Sequence, residues 1–274
     1  MEYNLYFNEA TSNKMKGIKR IFGSLWFLVL IILYVVCSLI SFIDNIIETF
    51  SSSNPNIATI IIAIPLSLFL SILLIYNLVK MYQISNSNCE LVGNNSLLKH
   101  YKTVKIIIII ISILEIIAIL LSMISTSLLI TLLRQTPSLL LKIEEMGISS
   151  DVFLKLSSCS SVTGVFGIIG IILLFLTLHE AENKALKDID YNGKCLSLII
   201  YPIFYFISVI VALYCNIVLS TDPEIIKLYE ITGTTMNNGQ VIDVISQIIS
   251  LIYSFVLVIV LLKVRKVLIT EKDN

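Results

Sequence analysis

The chain has 274 residues, of which 57% are hydrophobic and 14% charged, with a mean hydropathy of +0.93 and a formal net charge of zero. Soluble domains hold roughly 45–50% apolar and about 25% charged residues, so this composition excludes an ordinary water-soluble domain. The balanced charge supplies no global field for nucleic acid.

A helix needs about 20 apolar residues to cross the hydrocarbon of a bilayer. Cutting the chain at its charges leaves 21–43, 49–79, 156–178, 195–221 and 244–262 free of charged side chains, and 106–133 with Glu115 alone. The apolar stretches predict an all-α, polytopic bundle of six spans near 21–43, 58–80, 104–131, 160–179, 197–219 and 243–264. A cytoplasmic tail is expected over 1–20 and another over 265–274. The unbroken apolar runs argue against a barrel, whose strands would alternate with a period of two.

Lys14, Lys16, Lys19 and Arg20 precede the first run, and no small-residue cleavage site follows it. Tyr34-Val35-Val36 before Cys37 lacks the small residue that a lipidated cysteine requires. The first run therefore reads as a retained transmembrane helix. Pro65 and Pro202 fall inside predicted helices, which membrane helices tolerate.

Basic residues set the expected direction. The two tails, the 80–105 and 180–196 loops and the end of the last span at Lys263 hold fifteen of the nineteen lysines and arginines. The other three loops hold only Arg134, Lys142, Lys155 and Lys227. By the positive-inside rule, both termini are expected in the cytoplasm, and the expected setting is a bacterial cell membrane. Cys159 is then the only cysteine near the outer face, which argues against a disulfide framework.

The second and third outer loops share a pattern. Thr136-Pro137 leads to Glu144 and Gly147, and Asp222-Pro223 leads to Glu230 and Gly233. Pro after Thr or Asp starts helices, and Gly stops them, so each loop is expected to form a short amphipathic helix. Hairpins beginning after Lys16, Lys102 and Lys194 are consistent with a threefold repeat, although the first outer loop fits it poorly.

Polar residues within the spans supply the candidate site. Ser112, Glu115, Ala118, Ser122 and Ser125 share one face of helix three. A carboxylate near mid-membrane must face the bundle, pair, or take a proton. Tyr201, Tyr205, Ser208, Ala212 and Asn216 share a face of helix five, and Asp243, Ser246 or Gln247, Ser250 and Ser254 a face of helix six. The substrate- or ion-binding candidates are Glu115, Ser112, Ser122, Tyr205, Ser208, Asn216, Gln247 and Ser250. Interhelical hydrogen bonds without any cavity are the competing account of the same faces. Gly164, Gly167 and Gly170 on helix four read as positions of close helix approach.

Catalytic motifs are incomplete. His179-Glu180-Ala181-Glu182-Asn183 has Asn where a zinc site needs its second histidine. Glu144-Glu145 lacks an arginine three residues on, and neither a phosphate loop nor a nucleophile turn occurs. The expectation is a non-enzymatic transport protein, either a permease or the membrane subunit of a transporter. The alternative is an accessory, immunity or assembly factor. Expected partners are the lipid bilayer and other membrane-protein subunits, with no nucleic acid, cofactor or metal.

Overall fold

A computed structural model describes residues 16–51, 62–87, 90–136, 138, 141, 144, 145, 147–149, 151–186, 194–231 and 236–269. For 48–51, 90–95, 129, 130, 133, 134, 186, 229–231 and 236–243 it describes the backbone alone. Among the described residues there is no strand.

The helices are α1 (Leu25–Ser51), α2 (Ile64–Ser85), α3 (Glu90–Gln135), α4 (Asp151–Leu186), α5 (Ser197–Thr221), α6 (Pro223–Ile231) and α7 (Met236–Ile269). All but α6 are long and apolar enough to cross a bilayer. The chain is a multi-pass membrane protein, because in hydrocarbon a helix is the way a lone segment satisfies its own backbone.

The helices outrun the spans read from the sequence. The third begins at Glu90 rather than near 104, the fourth covers Asp151–Leu186 rather than 160–179, and the last covers Met236–Ile269 rather than 243–264. Charges end an apolar run but not a helix, since Lys, Glu and Leu are all good helix formers. The first span is shorter at its start than expected. Residues 16–22 are helical, the chain breaks at Gly23-Ser24, and Ser24 Oγ accepts the Phe27 amide at 3.4 Å, opening α1 with a serine cap. The expected tail positions 1–15 and 270–274, the span start 58–61, and the Asp243 side chain lie outside the described residues.

The spanning helices pack in chain order: α1 on α2, α2 on α3, α3 on α4, α4 on α5, α5 on α7, and α7 back on α1. They form a closed ring. Helix α4 also touches α7 past α5, so the middle of the ring, its central column, is uneven.

Polar contacts mark the two ends of the ring. At one end Lys105 pairs with Glu182, Tyr101 donates to the Leu178 carbonyl at 3.3 Å, and Arg265 Nε donates to the Lys194 carbonyl at 2.9 Å. Lys19 Nζ reaches the Ser87 carbonyl at 3.0 Å. Lys263 lies 5.2 Å from the Trp26 ring and Lys80 5.8 Å from Tyr76, the aromatic-basic pairing of a membrane interface. This is the basic end.

At the far end, α6 lies against the start of α4. Pro223 opens it, and the Asp222 Oδ1 accepts the Glu224 amide at 3.0 Å, as the Asp-Pro start signal predicts. Ile225 is fully buried with Ile148 and Val152. Lys155 Nζ sits 2.5 Å from Asp222, and Glu224 Oε2 accepts the Ser149 amide and hydroxyl at 2.8 and 2.7 Å. Gly147 turns at φ 72°, a left-handed conformation that glycine adopts without strain and that agrees with its expected stop role. Gly233 lies outside the described residues, as do Pro137, Leu139, Leu140, Lys142, Ile143 and Met146 of the other expected outer helix.

The hydrogen bond from Lys155 holds the Asp222 carboxyl below its ordinary range, and the Ser149 bonds do the same for Glu224. A depressed folded value gives docking that is complete above the unfolded pKa of about 4 and is lost as pH falls through the folded value. A nitroxide at Lys227→Cys should keep constant mobility from about pH 7 to 5 and loosen below about pH 4. Loosening as the pH rises through that window would contradict these contacts.

Candidate functional site

The buried core lies at the basic end. Ile18, Ile21, Phe27, Leu30, Ile31, Leu74, Met81, Leu97, Val104, Ile107, Leu198, Val256, Val260, Val264 and Leu268 form one cluster. These side chains fill the central column there. The 16–22 turn packs beneath it, close enough that a Cβ on Gly17 would come within 2.5 Å of Val267 Cγ1.

Polar groups at this end are engaged in the seal. Glu180 of α4 accepts the Ser197 amide at 3.0 Å and the Ser197 hydroxyl, tying α4 to the start of α5. Asn183 Nδ2 donates to His179 Nε2 at 2.9 Å, and Glu182 holds Lys105 of α3. The H-E-A-E-N sequence thus lies in a network that joins α3, α4 and α5. His100 Nδ1 donates to Asn77 Oδ1 at 2.8 Å, and the Asn77 amide donates to the Leu73 carbonyl at 2.8 Å.

Packing changes at the level of Ser112, which is 2% exposed. Beyond it, no position from Ile113 to Leu128 is buried, nor is any from 62 to 69 on α2 or from 32 to 47 on α1. Along 113–128, Ile116, Ile119, Met123 and Thr126 are the half-covered positions. Ile119 and Met123 lie over Gly164 and Gly167 of α4, within 3.1 Å of where a Cβ would stand. The expected close approach at these glycines is present. Every other position in this stretch of α3, including Glu115, Ala118, Ser122 and Ser125, is exposed.

Glu115 lies within electrostatic reach of the phenols of Tyr34 from α1 and of Tyr201 and Tyr205 from α5. It stands where the packing of α3 changes, one turn beyond the buried Ser112.

Aromatic side chains border the same level. Ring centroids of Tyr34 and Tyr253 are 6.4 Å apart, those of Tyr205 and Tyr253 6.4 Å at 84°, and those of Tyr201 and Tyr205 6.0 Å. Tyr34 has Ser38 and Ser71 as side-chain hydrogen-bond partners, and Cys37 has Ser250. The site therefore draws on α1, α2, α3, α5 and α7. A carboxylate beside several phenols can hold a cation, accept a proton, or bond a polar solute.

Of the sequence-predicted residues, Glu115 and Tyr205 meet here, and Ser250 joins the wall through Cys37. Ser112 lies in the packed half below, and Ser122 faces open space with its carbonyl taken by Ser125 and Thr126 at 2.9 and 2.8 Å. Ser208 donates to its own helix at the Tyr205 carbonyl, 2.7 Å away. Asn216 is eleven residues beyond Tyr205, about 16 Å along the axis, so it shares the face but not the level. Gln247 is one turn beyond Ser250, and its Oε1 is buried without a hydrogen-bond partner.

Tyr34, Ser71 and Tyr253 were not among the expected site residues. A signal was present: Tyr34 is the one tyrosine in 21–43, and Tyr253 the one in 243–264. Cys159 of α4 lies within hydrogen-bonding reach of Cys215 of α5, with both as thiols. The expected isolation of the outward cysteine is thereby corrected, because the helices bring together residues 56 positions apart.

Hydrophilic thiol reagents should modify Ala118→Cys and Ser122→Cys in membranes, and should leave Ser112→Cys unmodified. Equal protection of all three would mean that the far half is closed.

Compared with models of protein families, with characterised proteins and with solved structures, the chain matches none.

Proposed function

We propose that this protein is a permease or the membrane subunit of a transporter, and that its polar solute binds at Glu115. The observation that supports this reading is one carboxylate within a span, at the level where the buried packing of α3 ends. A polar solute crossing a bilayer needs a wet route to a mid-membrane site and a barrier beyond it. Alternating access provides both by moving the barrier from one side of the site to the other.

The energetics favour a functional carboxylate. Insertion of a charged residue such as Asp at a helix centre costs about 2.5–3.5 kcal/mol on translocon scales. A structural role needs a strong partner to offset that cost. Glu115 instead has phenols within electrostatic reach, and no lysine or arginine occurs in its own span from 106 to 133.

In this reading the basic end faces the cytoplasm, and the open half faces outward. Fifteen of the nineteen basic residues lie in segments that share one side of the alternating topology, and the cell membrane is the proposed location. The 16–22 turn and the Lys105–Glu182 pair belong to the cytoplasmic barrier. They must loosen when the site opens inward. The role is non-enzymatic, and an ATP-driven cycle would need a partner subunit.

Two measurements test this reading. Glu115→Gln should lower solute flux into proteoliposomes at least about tenfold while leaving the unfolding temperature unchanged or higher, since a carboxylate near mid-membrane carries a cost that the neutral amide reduces. Unchanged flux would remove Glu115 from the mechanism and return the accessory-factor reading. For orientation, an impermeant thiol reagent on intact cells should label Cys159 and spare Cys89. The reverse labelling would invert the assignment of sides.

A further inference from the structure

Helices α4 and α5 run antiparallel, and their contacts fix a register. Thr177 Oγ1 donates to the Ser197 carbonyl at 3.1 Å. Seven residues back along α4 and seven forward along α5, a Cβ on Gly170 would stand 3.9 Å from Phe204 Cε1. Eleven more residues in each direction lead to Cys159 and Cys215. Seven and eleven residues are close to two and three full helical turns, so the facing sides stay turned toward each other. Just past the cysteines, Lys155 Nζ meets Asp222 at 2.5 Å and holds the helices together. The register therefore sets the two sulfurs opposite one another, within hydrogen-bonding reach and both as thiols.

A covalent bond fits this arrangement. Packed helices have axes about 8–10 Å apart and Cα atoms about 2.3 Å from each axis, so opposed Cα atoms come to about 3.5–5.5 Å. A disulfide spans about 4.4–6.8 Å between Cα atoms. The other described cysteines lie elsewhere, Cys37 beside Ser250 and Cys195 in the packed core of the basic end. Access differs within the pair. Cys159 is half-buried, among Ser157, Ser158, Ser160 and Ser161 and one turn from the exposed Lys155, whereas Cys215 is only 6% exposed. A reagent arriving from water at the far end meets Cys159 first.

We propose that Cys159 and Cys215 are a dithiol–disulfide pair that, when oxidised, ties α4 to α5 at the far end. The oxidant is an external disulfide. The Cys159 thiolate attacks one of its sulfurs, forming a mixed disulfide and expelling the other half as a thiolate. The Cys215 thiolate then attacks the Cys159 sulfur, closing the bond within the chain and expelling the second half. The chain gives up two electrons, and its two thiol protons go to the two expelled thiolates. This chemistry does not depend on the transport reading. The outward orientation proposed for the far end puts the pair on the side where disulfides persist, and the labelling of Cys159 that reports orientation then applies to the reduced chain.

The test is oxidised glutathione added to the purified full chain in detergent, with peptide mass spectrometry after alkylation. Cys159–Cys215 cross-link should exceed every other cysteine pairing at least about tenfold. Cys215→Ser should retain glutathione on Cys159, because the closing step is missing, and Cys159→Ser should slow glutathione addition at Cys215 at least about tenfold. The cross-linked chain should unfold at a higher temperature than the reduced chain, a difference that Cys215→Ser abolishes. Glutathione on Cys159 of the unmodified protein without the cross-link overturns the pair, with no reliance on a variant. So does an equal yield of cross-links through Cys37 or Cys89. Equal unfolding temperatures for the cross-linked and reduced chains overturn the tie between α4 and α5.

Discussion

A carboxylate in the middle of a hydrocarbon layer has to be given water, a partner or a proton. Glu115 is placed in that position by a helix that carries no other charge from 106 to 133. The rest of the architecture can be understood as the response. The six spans close into a ring, the half toward the basic end is packed with large aliphatic side chains, and α3 has no buried position from Ile113 to Leu128, beside and beyond the carboxylate. If both halves were packed alike, the charge would be stranded.

The two ends are held by different physics. The basic end combines apolar packing with ties across helices, notably Lys105 to Glu182 and Glu180 to the start of α5. Ion pairs at a wet interface contribute little on their own, so the apolar cluster is the stronger part of the seal. The far end has a smaller buried cluster, Ile148, Val152 and Ile225, fastened by half-buried carboxylates. Stability is thus divided, with strong packing on one side of Glu115 and light fastening on the other.

The spans were legible because charge is costly in lipid, and the cuts at charged residues therefore coincide with the membrane. Helix ends were not, since Lys99, Lys102 and Glu182 continue a helix as well as a leucine does. Glu115 was legible for the same reason as the spans. Its neighbours were only partly so. Periodicity assigns residues to a face, and it placed Tyr205, Ser208 and Asn216 together, but it carries no information on depth relative to other helices. Depth separates Asn216 from Tyr205 and brings Tyr34 of α1 and Tyr253 of α7 together beside Tyr205. Which helices are neighbours is decided by the ring closing between α7 and α1, a long-range fact with no local trace in the sequence.

The most direct test of this account is an experimental structure in a lipid nanodisc at a resolution that separates water from acyl chains. Water density reaching Glu115 along the inner face of α3, above a dry aliphatic seal, is the predicted result. Acyl chains or packed side chains filling the column beside Glu115 would contradict it.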